Sequence, residues 1–184
     1  MRRNRSTLDF DWLTDGLAVG GSLPPDSAMR LARTHEITRV VDLRSEMCDD
    51  EAALKRQGIR LLRLPTPDTC AVARAKLETG VAWVAKALSA GRRVLVHCQH
   101  GIGRSALLAM CVLVDAGMPP LEAMLLAKNA REIVSPSPDQ LRAFIGFVGR
   151  RRRLATPWIV PSFDALAAIA YRHLQRPGRA AGAR

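Results

Sequence analysis

The chain has 184 residues, 48% hydrophobic and 24% charged, with a net charge of +11 and four cysteines. That length and apolar content suffice for one ordinary core and exclude a disordered chain or a repeat array. The longest apolar run, 106–114, stops at Asp115, far short of the ~20 residues that span a bilayer.

The chain opens with a basic arm, residues 1–5, holding three arginines and no following apolar signal segment, so a soluble cytoplasmic protein is expected. Apolar periodicity and turn residues then predict a helix at 26–34, a strand at 39–43, a helix at 50–57, a strand at 59–64, a helix at 75–90 and a strand at 94–97. Three helices follow, at 105–116, 120–131 and 138–153. Pro157 and Pro161 break the chain, 163–174 has one more helical pattern, and a Gly/Arg/Ala tail expected to be disordered closes the sequence. The alternation predicts a single α/β domain over 6–153, with a central mainly parallel sheet flanked by helices on both faces, and an extension over 154–184.

The positive charge belongs to the ends. Residues 6–149 carry 17 basic and 16 acidic side chains, whereas 150–184 carries eight arginines against one aspartate. Arg150 to Arg153 closes a helix, where cations face the carbonyl end of the dipole. The alternative is a docking site for an acidic partner, an anionic membrane surface or RNA. Cys48, Cys70, Cys98 and Cys111 lack paired spacing, so no disulfide framework is expected.

His97-Cys98-Gln99-His100-Gly101-Ile102-Gly103-Arg104-Ser105 joins the strand at 94–97 to a helix N-terminus. Amides at such a turn point inward at an anion, the glycines let the backbone approach it closely, and Arg104 offers a planar fork for phosphate oxygens. The same field favours thiolate at Cys98, lowering its pKa from about 8.5 into a range of roughly 3.5 to 7.5. Cys-x5-Arg alone is weak evidence in a chain with 24 arginines. The preceding His, the two glycines, the hydroxyl at 105 and the strand-to-helix context are separate requirements that make it specific.

This segment resembles the His-Cys-x5-Arg-Ser/Thr signature of the cysteine-dependent protein tyrosine phosphatases, and the chain is similar to their compact dual-specificity branch. Leu64-Pro65-Thr66-Pro67-Asp68 resembles the family's general-acid loop. Residues 10–13 with 17–21, and then Val40-Val41-Asp42-Leu43-Arg44, resemble its opening strand and next core strand. The resemblance spans residues 8 to 148. It implies a metal-independent phosphomonoester hydrolase with no cofactor: Cys98 as nucleophile, Arg104 as phosphate and transition-state binder, Asp68 as general acid and then base, and Ser105 as hydrogen-bond donor to the departing thiolate. Gln99, His100, Gly101, Ile102, Gly103 and Arg104 form the phosphate-binding loop.

Other residues are weaker candidates. His97 is expected to bond the loop backbone, and Arg131 to brace the loop or a surface carboxylate rather than bind substrate. Gln140 resembles a glutamine that places the hydrolytic water in some family members, or simply begins a helix. Cys70 is a resolving thiol for Cys98 or a bystander, and Cys98 with His100 makes too sparse a donor set for zinc. Lipid-directed relatives often carry cations within the loop, and Gln99, His100 and Ile102 offer none. A phosphorylated protein, at phosphotyrosine and also phosphoserine or phosphothreonine, is therefore the expected substrate. A phosphoinositide or small phosphorylated metabolite, an RNA 5′ end, or phosphate binding without turnover remain as alternatives.

Overall fold

Alternating apolar residues in a long strand decide the layering. Val41 and Leu43 face one side of the sheet, while Ile37 and Val40 face the other, a register shift between Ile37 and Arg39 setting the phase. The computed structural model describes residues 8–152 and 158–174. The basic arm at 1–5, Arg153, the following stretch to 157 and the tail beyond 174 lie outside those residues.

The elements are β1 (Phe10–Trp12), β2 (Leu17–Gly20), α1 (Ala28–Arg33), β3 (Ile37–Arg44), α2 (Glu51–Arg56), β4 (Arg60–Thr66), α3 (Arg74–Ser89), β5 (Arg93–His97), α4 (Arg104–Asp115), α5 (Pro120–Ala130), α6 (Pro138–Arg152) and α7 (Phe163–Ala170), with a closing 3-10 turn at Arg172–Leu174. The strands form one sheet in the order β1-β2-β5-β3-β4. β2, β5, β3 and β4 run parallel, and β1 alone is antiparallel. The expected single opening strand is thus a two-strand hairpin, because residues 13–16 turn the chain back on itself, with Leu13 N–H donating to the Leu17 carbonyl.

Helices cover both faces. Leu31 of α1 and Leu54 of α2 pack with Ala18, Ile37, Val40 and Leu95, while α3 through α7 share the larger core on the other side. α4 lies at the centre of that core, with Arg104 through Val114 all buried. A helix apolar all round must be enclosed on every side, and truncating Leu107 or Leu108 to Ala costs about 2–5 kcal/mol. α7 joins the same core through Leu166 and Ala170. Its C-terminal end grips the chain before α6: the Tyr171 hydroxyl donates to the Pro136 carbonyl (2.6 Å), and the Ser135 hydroxyl to the Ala170 carbonyl (3.3 Å).

At the end of α6, Arg150 and Arg151 both pair with Glu78 of α3, and Arg151 also with Asp115 (2.7 Å). These two arginines are committed within the fold. No helix among the described residues is long and apolar enough to cross a membrane.

Candidate active site

β5 sits between β2 and β3, so its carboxyl end opens where the order of connections reverses, the place where parallel sheets bind ligands. His97 ends the strand, Cys98 follows, and Gly103 caps α4 without a side-chain hydrogen bond. Four consecutive loop carbonyls are tied outward. Gln99 accepts from Ser22 N–H (3.0 Å), His100 and Gly101 from the Arg131 guanidinium (3.0 and 3.1 Å), and Ile102 from Ser135 N–H (3.0 Å). Peptide planarity then turns the amides of residues 100–103 to the inside, where they make an anion cradle. Gly101 has φ +68°, and a Cβ there would meet the Gly20 backbone at 2.6 Å, so only glycine fits.

Arg131 braces the loop as expected, and is itself held by Asp9 (2.9 Å) and Asp11 (2.8 Å) around β1. The β1–β2 hairpin therefore supports the loop from outside.

Cys98 is 2% exposed. Its Sγ lies 3.3 Å from Ser105 Oγ. Burial pushes the thiol up, but hydrogen bonds from the Ser105 hydroxyl and from the Ser105 and Gly101 amides, together with the Arg104 charge, pull it below the ordinary cysteine value. Buried Cys111, by contrast, is pushed well up by desolvation. Two buried thiols on one helix and its approach thus have opposite character.

Arg104 is 1% exposed. Nη1 donates to Glu46 Oε2 (2.9 Å) and the Thr66 carbonyl (2.8 Å), and Nη2 to Glu46 Oε1 (2.8 Å). Asp68 Oδ1 lies 2.9 Å from Nη2. Nε is buried with no partner. The guanidinium holds the Glu46 carboxyl at about 2, against an ordinary 4.5. Glu46 was not singled out from the sequence, since it reaches Arg104 across 58 residues. The available signal was its place just beyond the carboxyl end of β3.

The Asp68 loop is pinned and strained. Thr69 has φ +61°, a left-handed backbone that a β-branched residue rarely adopts and that clusters at functional sites. Ser137 Oγ donates to the Thr69 carbonyl (2.6 Å), and Gln140 Nε2 to the Cys70 carbonyl (3.0 Å). Gln140 Oε1 accepts from Ser137 N–H (2.8 Å), and Ser137 Oγ from Gln140 N–H (3.3 Å): a reciprocal capping box at the start of α6. Gln140 therefore ties α6 to the Asp68 loop, and a Cβ on Gly103 would strike its Oε1 at 2.3 Å.

His97 corrects an expectation. Its Nε2 meets Asp49 Oδ2 at 2.7 Å and not the loop backbone, because Asp42, its register partner on β3, and Asp49 flank it. Asp42, Asp49 and His97 are near enough to suggest a metal cluster, but the Arg44 guanidinium already bridges the two carboxylates. Burial pushes the Asp49 carboxyl up, while His97 and Arg44 together bring it below its ordinary value. The network stiffens the base of the loop.

A pocket of about 180 Å³ is lined by Asp68, Thr69, Cys98, His100, Ile102, Gly103, Ser135, Ser137 and Gln140. A larger hollow, of about 350 Å³, lies near Trp12 and Arg93 and has no cysteine in its lining. Cys70 is an exposed thiol in the Asp68 loop and does not line the 180 Å³ pocket.

Residues 24–148 match the family model described as "Dual specificity phosphatase, catalytic domain". The chain belongs to that family. It is 31% identical over 141 residues to the rat "Phosphatidylglycerophosphatase and protein-tyrosine phosphatase 1", covering 71% of this chain and 73% of the rat protein. It is 30% identical over 145 residues to the human protein of the same name, covering 74% and 72%. Among solved structures it is similar to PTPMT1 in complex with PI(5)P, with a TM-score of 0.74, 25% identity, and 79% of this chain and 99% of that one covered. Human DUSP28, at 23% identity and TM-score 0.70 over 79% and 99% of the two chains, shares the fold. This member of the dual-specificity family is a phosphatase, and β1, β2 and α7 lie outside the residues 24–148 that match the family model.

Proposed function

We propose that this phosphatase hydrolyses singly phosphorylated monoesters through a cysteinyl-phosphate, with Cys98 as nucleophile. The observation that carries this reading is the buried Cys98 thiol 3.3 Å from the Ser105 hydroxyl, where burial pushes its pKa up but that hydroxyl, the Ser105 and Gly101 amides and the Arg104 charge bring it below the ordinary value. The substrate dianion takes Nε and Nη2 of Arg104, displacing Asp68 from Nη2, while Glu46 keeps the guanidinium in plane. The Cys98 thiolate attacks phosphorus and the P–O bond to the leaving group breaks. Arg104 and the loop amides follow the charge onto the equatorial oxygens. Asp68 gives its carboxyl proton to the leaving oxygen. Water then attacks the phosphocysteine, its proton goes to Asp68, and the S–P bond breaks toward a thiolate that Ser105 stabilises. Each step uses groups of the chain itself, with no metal or cofactor assigned a part. A reducing compartment such as the cytoplasm keeps Cys98 competent.

No Lys or Arg is among the residues that line the pocket, and Arg104 meets it through Asp68, which suits a group bearing a single phosphate. Phosphotyrosine and phosphoserine or phosphothreonine in proteins are the first reading. The names of the rat and human relatives favour a second, a glycerophospholipid monoester. Turnover of an aryl phosphate in EDTA tests the chemistry. A side-by-side panel of phosphopeptides, phosphatidylglycerophosphate, phosphoinositides and RNA 5′ ends tests the substrate. Monoesters with one phosphate should be turned over faster than multiply phosphorylated inositides, and the reverse order would overturn that assignment.

A further inference from the structure

Cross-strand register puts Arg39 of β3 directly opposite Arg60 of β4. Two residues further along each strand, Val41 and Leu62 face the α3 side, and Leu43 and Leu64 follow them there, so both arginines point to that side. Like charges directly opposite each other destabilise a sheet, and here no acidic side chain offsets them. Lys86 of α3 and Arg92, in the turn before β5, line the same hollow of about 210 Å³ with Trp83, Ala87 and Ala90. No acidic side chain lines it. None of the four cations has an ion-pair partner among the described residues, and Arg39 donates only to the Thr38 carbonyl (2.7 Å). Burial and then the charges of Arg60 and Arg92 press the Arg39 pKa down.

The end of α3 does not explain the cluster. Backbone amides of Ala90, Gly91 and Arg92 already satisfy the Ala87 and Leu88 carbonyls, and Arg39 and Arg60 lie on strands. A local rule broken without a compensating contact marks a functional site.

We propose that Arg39, Arg60, Lys86 and Arg92 form a second anion site for a polyphosphate group, with Trp83 as its wall. Four cations around so small a hollow match several charges carried on adjacent phosphates, and guanidiniums pair with phosphate oxygens bidentately. The ligand is not the substrate. Arg39 is level with Val94 in the sheet, about 13 Å along the strands from Cys98, toward the opposite end from the catalytic pocket. A membrane bound there would turn that pocket away from the lipid. The exposed large apolar residues, Met29, Met47, Leu121, Leu125, Ile133, Ile159 and Leu174, include none from this hollow.

Calorimetric titration of the full chain with inorganic tripolyphosphate and with ATP, at physiological salt, tests the proposal against an R39Q/R60Q double variant and Trp83→Phe. The expected result is binding by the wild type that weakens at least tenfold in R39Q/R60Q, with a shallower salt dependence as fewer counterions are released. Tripolyphosphate should raise the melting temperature of the wild type and not of the double variant. The double variant, relieved of repulsion, should melt no lower than wild type without ligand. Equal affinity for tripolyphosphate and ATP identifies the phosphate chain as the ligand. Tighter ATP binding that Trp83→Phe removes identifies a nucleotide. Equal binding by wild type and double variant, or binding of anionic vesicles through these residues with none of tripolyphosphate, would overturn the proposal. Aryl phosphate turnover is a separate readout, so loss of this site and failure of the Cys98 chemistry are distinguishable.

Discussion

Arg104 and Glu46 lie fork to fork, with Nη1 2.9 Å from Oε2 and Nη2 2.8 Å from Oε1. The pair leaves only the Nε edge and a shared Nη2 to meet phosphate. Glu46→Gln removes the charge that fixes that plane, and kcat/KM should fall roughly tenfold with the loss appearing in phosphate affinity. The Glu46 pKa is depressed, so its stabilisation is fully present above the ordinary 4.5 and is lost as pH falls toward about 2. Wild type should therefore melt above Glu46→Gln at neutral pH, and the two should converge in acid. A constant difference down to pH 2 would remove Glu46 from this role.

Asp68 rests on Arg104 Nη2 in this structure and has to leave it to serve as acid. Asp68→Ala should slow phenyl and alkyl phosphates by roughly 10²- to 10⁴-fold and good leaving groups much less. Rates measured across a leaving-group series check this. A uniform loss would point to another carboxylate.

Much of this site was legible because its parts are close in sequence. The Cys98 loop is one short segment whose glycines, thiol and guanidinium must converge whatever surrounds them. The helices between strands followed from plain apolar periodicity, with boundaries shifting by a few residues. Glu46 was not legible, because nothing local distinguishes a carboxylate after a strand from any solvated loop residue. His97 pairs with Asp49 across 48 residues, so its partner awaited the sheet register. Gln140 carried a readable signal, Ser137 three residues before it, but its bond to the Cys70 carbonyl depends on packing. The β1–β2 hairpin had a readable signal in Asp15-Gly16, a turn dipeptide between two short apolar runs.

The hydroxyl of Ser105 contributes to the lowered Cys98 pKa, and a lowered pKa keeps thiolate present at lower pH. Ser105→Ala should shift the pH dependence of Cys98 alkylation upward. Loss of a hydrogen bond to a charged group should also slow breakdown of the intermediate by about 10- to 100-fold. An unchanged alkylation profile would contradict the contact's assigned part.

α7 secures the segment before α6 through the Tyr171 hydroxyl and the Pro136 carbonyl. Tyr171→Phe should cost about 1 kcal/mol, or a melting-temperature drop of about 2–4 °C, while aryl phosphate turnover below the melting range stays near wild type. A large loss of turnover with unchanged melting would place Tyr171 in the chemistry instead.

Mass spectrometry of acid-quenched Ser105→Ala during aryl phosphate turnover tests the central claim most directly, because slowed breakdown lets the intermediate accumulate. One phosphoryl group should appear on the peptide carrying Cys98, absent when Cys98→Ser is added and turnover ceases. Continued turnover with no phosphoryl group on Cys98, or a phosphoryl group on a different residue that persists in Cys98→Ser, would contradict it.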